Sequence, residues 1–228
     1  MKPGDILSYL EMCQEEGASL QRGMNFQLRP GHSVVLMSLR AGSPYDDSLL
    51  ESGRVLIYEG HDIPNSAGGP NPKLVDQPLK NSTGKPTENG KFWSAAKACE
   101  QGGNAERVRV YEKIKAGIWA YNGTFQLMSA WMELSKSRKV VKFRMELSDD
   151  DGGPVAHHGP LKHQRMIPSQ VKQAVWKRDQ GKCVLCGDQK NLHFDHEIPF
   201  SKGGSSLVAE NVRLLCAKHN LAKSDKIE

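Results

Sequence analysis

Residues 183–220 read CVLCGDQKNLHFDHEIPFSKGGSSLVAENVRLLCAKHN and contain two closely spaced pairs, Cys183-x-x-Cys186 and Cys216-x-x-His219. Each pair can present two metal ligands from one tight turn, and four such ligands complete a tetrahedral Zn²⁺ site. A segment of about 65 residues has a small hydrophobic core, which a bound metal would reinforce. The sequence therefore predicts a closed, structural zinc site in the carboxy-terminal part of the chain.

A second set of polar residues lies between and just after these pairs: Asp195, His196, Asn211 and Asn220. Carboxylate and amide oxygens suit a hard cation such as Mg²⁺ or Mn²⁺, so Asp195 and Asn220 are candidate ligands of a second metal ion. An imidazole, with an ordinary pKa of about 6.5, can take a proton from water at neutral pH. His196 is therefore a candidate general base, although an isolated histidine is more often a surface residue and an isolated asparagine a helix cap.

In this order and within the zinc frame, these residues resemble the HNH endonuclease family, whose fold places two short strands and a helix around one metal ion. The resemblance covers roughly 165–228, with Asn220 where many members have histidine. It implies that Asp195 and Asn220 hold a divalent ion. It also implies that His196 activates the attacking water and that Asn211 orients the imidazole.

Three features border this motif. His193 lies two residues before Asp195 on the same strand face and is an alternative metal ligand. Lys223 is expected to be an exposed lysine, with a phosphate contact as the alternative. Upstream, the spacing of apolar residues over Pro168–Asp179 predicts an amphipathic helix with proline at its start.

The chain has 228 residues, which is long enough for two domains. A stretch at 149–160 is rich in aspartate, glycine and proline and lacks hydrophobic periodicity, which is typical of a linker. We therefore expect a first domain at 1–148, a linker at 149–164 and the nuclease module at 165–228.

The first domain shows mainly strand patterns, with a short helix near Ile6–Cys13 and another over Phe92–Cys99. The predicted fold class is α+β: a curved sheet or partial barrel, followed by the small zinc-stapled ββα-metal module. The expected strands are Val34–Leu39, Arg54–Tyr58, Val108–Glu112, a pair joined at Asn122-Gly123, and Val141–Leu147.

Six segments of this domain form a recognisable series: Ser33–Ser38, Tyr45–Asp47, Gly53–Gly60, Asp76-Gln77, Arg107–Tyr111 and Tyr121–Phe125. In this order they resemble the SRA family (SET- and RING-associated domains), readers of 5-methylcytosine in DNA. In that family the modified base is rotated out of the duplex into a pocket, stacked between aromatic rings and read at its Watson–Crick edge by a carboxylate. His61 either lines the mouth of this pocket or caps a turn.

The SRA resemblance assigns a modified-base pocket. Tyr45 and Tyr58 match the stacking positions, and Asp47 matches the base-reading aspartate, with Asp46 as the alternative. Glu59 stands where eukaryotic readers carry threonine, and the spacing that follows the aspartate is longer than in those readers. The residues alone also allow Tyr58 as a core strand residue and the two aspartates as a turn.

A modified-base reader joined to an HNH nuclease resembles the SRA–HNH modification-dependent restriction endonucleases of bacteria. The resemblance implies binding of duplex DNA that carries 5-methylcytosine or 5-hydroxymethylcytosine, flipping of that base, and cleavage nearby with one Mg²⁺ or Mn²⁺ ion. One active site cuts one strand, so we expect a homodimer. Two alternatives stay open: an HNH endonuclease whose first domain reads phosphorothioate or another DNA feature, and a modified-DNA binding protein that does not cleave.

Composition sets limits on the setting in which the chain works. The formal net charge is +5, and the residues after 160 carry more basic than acidic side chains, which suits a polyanionic partner. No window holds the roughly 18 consecutive apolar residues that a membrane span requires. The first residues also lack the pattern of a secretory signal. We therefore expect a cytoplasmic protein without membrane contact, whose cysteines stay reduced.

Overall fold

The computed structural model describes residues 1–148, 166–198 and 205–223, so the expected linker at 149–164 lies outside the described residues. Contacts divide the chain into two compact units. The first comprises Met1–Glu15, Tyr111–Gly123 and Asp149–Glu228, and the second comprises Glu16–Val110 and Thr124–Ser148. The domain boundaries at 148 and 164 stay a prediction, because these units are defined by contacts and each combines separate segments of the chain.

A large sheet with strands of very different lengths dominates the sequence before residue 149. The strands are β1 Ile6–Ser8, β2 Met24–Arg29, β3 His32–Met37, β4 Ser48–Leu50, β5 Val55–Glu59, β6 Glu106–Lys115, β7 Ile118–Ser135 and β8 Arg138–Leu147. Their order in the sheet is β2-β3-β6-β7-β8-β5-β4, and β1 pairs with β7. This β-rich sheet with few helices confirms the predicted α+β class.

Four α-helices accompany the strands of the described residues: α1 Tyr9–Glu16, α2 Glu88–Glu100, α3 Ser169–Arg178 and α4 Ala217–Lys223. The first helix begins later than its pattern predicts, because Ile6 pairs with Ala120 in the sheet. The second begins where the Thr87 hydroxyl accepts a hydrogen bond from the Gly90 amide at 3.1 Å, an N-cap that satisfies a free helical donor. None of the described helices has the length and apolar character that crossing a membrane would need.

The expected hairpin at Asn122-Gly123 is wrong, because β7 runs straight through both residues. The chain reverses instead before β7, where Gly117 takes a φ of 76°. Asn122 is buried, and its side-chain amide donates to the Glu112 carboxylate at 3.1 Å and accepts from the Lys172 ammonium at 2.6 Å. The asparagine is therefore a buried polar partner and not a turn residue.

The first unit contains the zinc and HNH motifs. Strands β9, Leu192–His196, and β10, Val212–Cys216, pair antiparallel, and α4 follows β10 directly. The alternating side chains Leu192 and Phe194 enter a core with Val171 and Val175 of α3, as expected for a half-buried strand and an amphipathic helix. These two strands and the helix after them form the ββα arrangement expected from the HNH resemblance.

An ion pair is buried beside this core. The Lys172 ammonium on α3 lies 2.9 Å from the Glu112 carboxylate on β6, and both side chains are almost fully buried. Removing one partner of such a pair leaves an uncompensated charge and destabilises a fold strongly. The pair therefore ties α3 to the β6–β7 hairpin within the first unit.

The second unit has its own aromatic core. The Phe92 ring on α2 packs edge-on against Phe26 and Phe143, with ring centroids 5.3 and 5.9 Å apart. Val34, Val35 and Leu56 are fully buried on the sheet. This core supports β5 and the segment before it, where the expected pocket residues lie.

Candidate functional site

Four metal-ligating side chains converge in the first unit, and we call them the Cys3His cluster: Cys183, Cys186, Cys216 and His219. The first two follow α3, the third ends β10 and the fourth lies in α4. The Cys186 and Cys216 sulfurs are 3.8 Å apart, and His219 Nδ1 lies 3.4 Å from Cys183 Sγ and 3.3 Å from Cys216 Sγ. All four ligand atoms lie within 4.8 Å of one another.

This geometry fits a zinc ion. A tetrahedral site with Zn–S bonds of about 2.3 Å places its sulfur ligands about 3.8 Å apart, which agrees with the distance between Cys186 and Cys216. Burial opposes ionisation of Cys183, but hydrogen bonds from backbone amides outweigh it and lower the pKa of its thiol to about 6. Since zinc binds the thiolate, the Cys3His cluster could hold the structural ion that the sequence predicts.

Strand β9 carries the adjacent Asp195 and His196 of the motif. The alternation of side chains along β9 turns Leu192 and Phe194 into the core, and Asp195 toward the opposite face. His196 ends the strand, and its Nε2 lies 2.7 Å from the hydroxyl of Ser206. Ser206 is buried, and sequence reasoning misses it because a serine in a glycine- and serine-rich segment gives no distinctive signal.

Lys223 is buried, contrary to the expectation from the sequence. The sequence predicts an exposed lysine, yet only 1% of the residue is accessible. Its ammonium donates to Asp195 Oδ2 at 2.5 Å and to the carbonyl oxygen of His196. The reason is its place in the last turn of α4, one helical turn after His219, on the side that packs against β9. That spacing from a zinc ligand is the signal that could have found it.

Asn211 is hydrogen-bonded to both Ile198 and Ser205. Its Oδ1 accepts from the Ile198 amide at 2.8 Å, while its Nδ2 donates to the carbonyls of Ile198 at 3.2 Å and Ser205 at 3.0 Å. Asn211 thus fixes the chain on both sides of residues 199–204, close in sequence to His196 and Ser206. Its expected contact with the imidazole ring stays a prediction.

The two remaining candidates for metal binding lie on different elements. Asn220 is half-buried on α4, three residues before Lys223, so the two side chains lie on the same face of the helix. His193 on β9 places its Nδ1 2.9 Å from Asp5 Oδ1, so this ring nitrogen is engaged with the amino-terminal segment of the same unit. The assignment of Asn220 as a metal ligand stays a prediction.

The expected pocket residues gather around His61 in the second unit. The half-buried Tyr45 ring stacks on the His61 ring, with centroids 5.2 Å apart and planes inclined by 17°, and the Lys73 ammonium lies 4.3 Å from the Tyr45 centroid. Burial lowers the pKa of His61 to about 4, which keeps its ring uncharged at neutral pH. Asn89 holds the His61 backbone with hydrogen bonds to both its amide and its carbonyl, each 2.8 Å long.

Tyr58 is a core residue of the second unit. Only 1% of it is accessible, and its hydroxyl lies 3.1 Å from the Gly23 carbonyl and 3.2 Å from His61 Nε2. A Cβ atom added at Gly23 would meet the His61 ring at 2.7 Å, so this glycine permits the close approach. Tyr45 is therefore the more accessible of the two tyrosines expected to stack on a base.

The two candidate aspartates differ sharply in environment. The Asp46 side chain is 90% exposed. Asp47 accepts hydrogen bonds from the amides of Glu59 at 3.0 Å and Ser38 at 3.2 Å, and burial raises its pKa to about 7. Asp47 is thus held against the end of β5, at the residue that follows Tyr58.

Glu59 belongs to a buried ionic network. Its carboxylate lies 3.2 Å from the Lys142 ammonium and 3.5 Å from the Arg138 guanidinium, and all three side chains are almost fully buried. The amide of Gln77 approaches the same carboxylate at 3.3 Å. Glu59 therefore has partners within the protein, and a direct contact with a base stays a prediction.

The raised pKa of Asp47 predicts a dependence of stability on pH. The folded protein keeps a proton on this carboxyl group up to about pH 7, whereas the unfolded chain releases it near its ordinary pKa of 3.8. The free energy of unfolding should therefore fall as the pH rises through this window and level off above it. Because the lowered pKa of His61 acts on both proteins alike, the effect of Asp47 is read from their difference: the melting temperature of the wild type relative to that of Asp47→Asn should fall as the pH rises from about 5.5 to 8. Parallel curves for the two proteins would contradict the assignment.

Residues 183–226 match the HNH endonuclease family, which confirms the resemblance of the carboxy-terminal motif to that family. No curated protein matches the chain. The match places an HNH endonuclease domain in this chain.

Three solved structures that are similar to this chain share less than 25% of its sequence over the matched parts. A SUVH5 SRA complex with fully methylated CG DNA is 22% identical over 68% of this chain and 92% of its own, with a TM-score of 0.47. KRYPTONITE in complex with mCHG DNA and SAH is 19% identical over 70% of this chain and 34% of its own, with a TM-score of 0.45. The modification-dependent TagI restriction endonuclease is 19% identical over 97% of this chain and 76% of its own, with a TM-score of 0.42.

Proposed function

We propose that this protein is a modification-dependent DNA endonuclease that hydrolyses phosphodiester bonds near a modified cytosine. The observation that carries the nuclease assignment is the arrangement of Asp195 and His196 on β9 beside α4, within the frame of the Cys3His cluster. The HNH match over the same residues supports it. The zinc ion would be structural, and a separate Mg²⁺ or Mn²⁺ ion would serve the reaction.

The chemistry follows from the residues at the strand end. The His196 imidazole takes a proton from water as the water attacks phosphorus, and Ser206 holds the ring through its Nε2 at 2.7 Å. Asn211 is hydrogen-bonded to Ile198 and to Ser205, the residue before Ser206, and so helps to keep the hydroxyl that contacts the ring in place. Asp195 and Asn220 would hold a divalent ion, whose positive charge would stabilise the negative charge that develops on the departing oxygen.

The second unit would supply the selection of modified bases. A flipped base needs an aromatic surface for stacking and a hydrogen-bonding group for its Watson–Crick edge. Tyr45 with His61 offers the surface, and Asp47 on the neighbouring segment offers the carboxylate. The proposed ligand is duplex DNA with 5-methylcytosine or 5-hydroxymethylcytosine, and the proposed working form is a homodimer because each active site cuts one strand.

Digestion of matched plasmids tests this function. Methylated, hydroxymethylated and unmodified plasmids are incubated with the zinc-loaded protein and either Mg²⁺ or Mn²⁺. We expect cleavage of the modified plasmids and little cleavage of the unmodified one. Cleavage of all three at equal rates would mean that the second unit does not select modified bases. Binding without cleavage in either metal would identify a modified-DNA binding protein.

A substitution at Tyr45 tests the reader separately. Stacking of a base on an aromatic ring is worth about 1–3 kcal/mol, so Tyr45→Ala should weaken binding to methylated duplex roughly tenfold or more. Binding to unmodified duplex should change little, because phosphate contacts carry no information on methylation. Tyr9→Ala removes another partly exposed tyrosine and serves as the control. Competition binding at one salt concentration measures the effect, and equal losses on both duplexes would contradict the role of Tyr45.

A further inference from the structure

The Lys223 ammonium is hydrogen-bonded to the Asp195 carboxylate, which the proposed function assigns to the divalent ion as a ligand. It bonds Asp195 Oδ2 at 2.5 Å and also donates to the His196 carbonyl oxygen, so two oxygen atoms of adjacent residues surround it. A carboxylate and a backbone carbonyl are also oxygen ligands that hard cations accept. The lysine is 1% accessible, and the Asp195 side chain is 18% accessible. The fold thus places a positive charge of the chain itself beside Asp195.

This charge affects how a metal ion binds. An ammonium and a divalent ion that share one carboxylate repel each other, and the repulsion is strong where protein replaces water. Lys223 also fixes the orientation of Asp195, which favours a metal ion, but this benefit is smaller because aspartate has only two rotatable side-chain bonds. The electrostatic effect should therefore dominate.

We infer that Lys223 competes with the divalent metal ion for Asp195 and thereby holds the metal affinity of the DNA-free protein low. This inference rests on the proposed function, since it needs Asp195 as a metal ligand. In the DNA-free protein the ammonium neutralises the carboxylate. Phosphate groups of bound DNA add negative charge at the same place, so metal binding should strengthen when DNA is present.

Titration with Mn²⁺ tests the inference without any cleavage reaction. Free Mn²⁺ is followed by electron paramagnetic resonance in the full-length, zinc-loaded protein in the absence of DNA. Lys223→Met should bind Mn²⁺ at least tenfold more tightly than the wild type, a difference of about 1.4 kcal/mol. Lys218→Met removes an exposed lysine from the same helix and should leave the affinity within about twofold.

A second variant covers the case in which Lys223→Met does not fold. Lys223→Gln keeps an N–H donor for the His196 carbonyl but carries no charge, so it should also tighten Mn²⁺ binding. Unchanged or weaker binding in the folded variants would overturn the inference.

Asp195→Asn separates this inference from the proposed function. The variant should lose the Mn²⁺ site in both the wild-type and the Lys223→Gln background. If Asp195→Asn alone binds Mn²⁺ as the wild type does, the metal assignment itself fails. If Asp195→Asn loses the ion but Lys223→Gln does not gain affinity, only the competition by Lys223 fails.

Discussion

His196→Ala should abolish DNA cleavage while the protein still binds modified DNA. The substitution removes the imidazole that takes the proton from the attacking water, and losing a general base typically costs about 10²–10⁴-fold in rate. The ring is only half-buried and ends β9, so its loss leaves the core residues Leu192 and Phe194 in place. Single-turnover cleavage of a methylated duplex, together with a binding measurement on the same duplex, gives the two readouts.

His32→Ala is the control for this experiment, since it removes an imidazole of β3 that belongs to neither proposed site. His32 Nε2 lies 2.9 Å from the Glu16 carboxylate, so its loss should affect stability and leave the rate of cleavage within about tenfold of the wild type. A His196→Ala protein that cuts at more than about a hundredth of the wild-type rate would exclude His196 as the general base.

Cys183→Ser should remove zinc and destabilise the unit that contains the HNH motif. A structural zinc site contributes about 10–16 kcal/mol of apparent binding free energy in small zinc-binding peptides, and this energy supports folding. Cys183 is buried in the core cluster of this unit, so an incomplete site also disturbs packing there. We expect less than one zinc per chain and a melting temperature lowered by about 10 °C or more. Elemental analysis and thermal denaturation measure both effects.

Cys99→Ser makes the same chemical change at a half-buried free thiol of α2, outside the Cys3His cluster. It should keep one zinc ion and melt within a few degrees of the wild type. If Cys183→Ser retained stoichiometric zinc and an unchanged melting temperature, the four-ligand assignment would be wrong.

Local sequence is sufficient for those features that depend on residue type and spacing. Cys183-x-x-Cys186 and Cys216-x-x-His219 predict a ligand set whose atoms do converge, because two ligands in one tight turn restrict each other's position. The alternation of apolar residues before Asp195 and the amphipathic pattern of α3 also predict secondary structure. In a half-buried strand or helix, the spacing of the apolar residues identifies the face that packs against the core. The Asn122-Gly123 pair misleads, because burial in a long strand overrides a typical turn sequence.

Tertiary structure decided which polar residues became partners across the chain. The identity of the partner of Lys223 cannot be read from its spacing after His219, yet its ammonium reaches Asp195, 28 residues earlier, and Lys172 reaches Glu112, 60 residues earlier. Ser206 and Asn211 likewise have partners that local spacing does not predict, His196 for the first and Ser205 for the second. The sequence by itself predicted the candidate metal ligands, the candidate base and the strand-rich class, because these follow from chemistry and local spacing. Only the fold determined the charge beside Asp195, because a lysine is buried where a distant carboxylate offsets the cost of removing it from water.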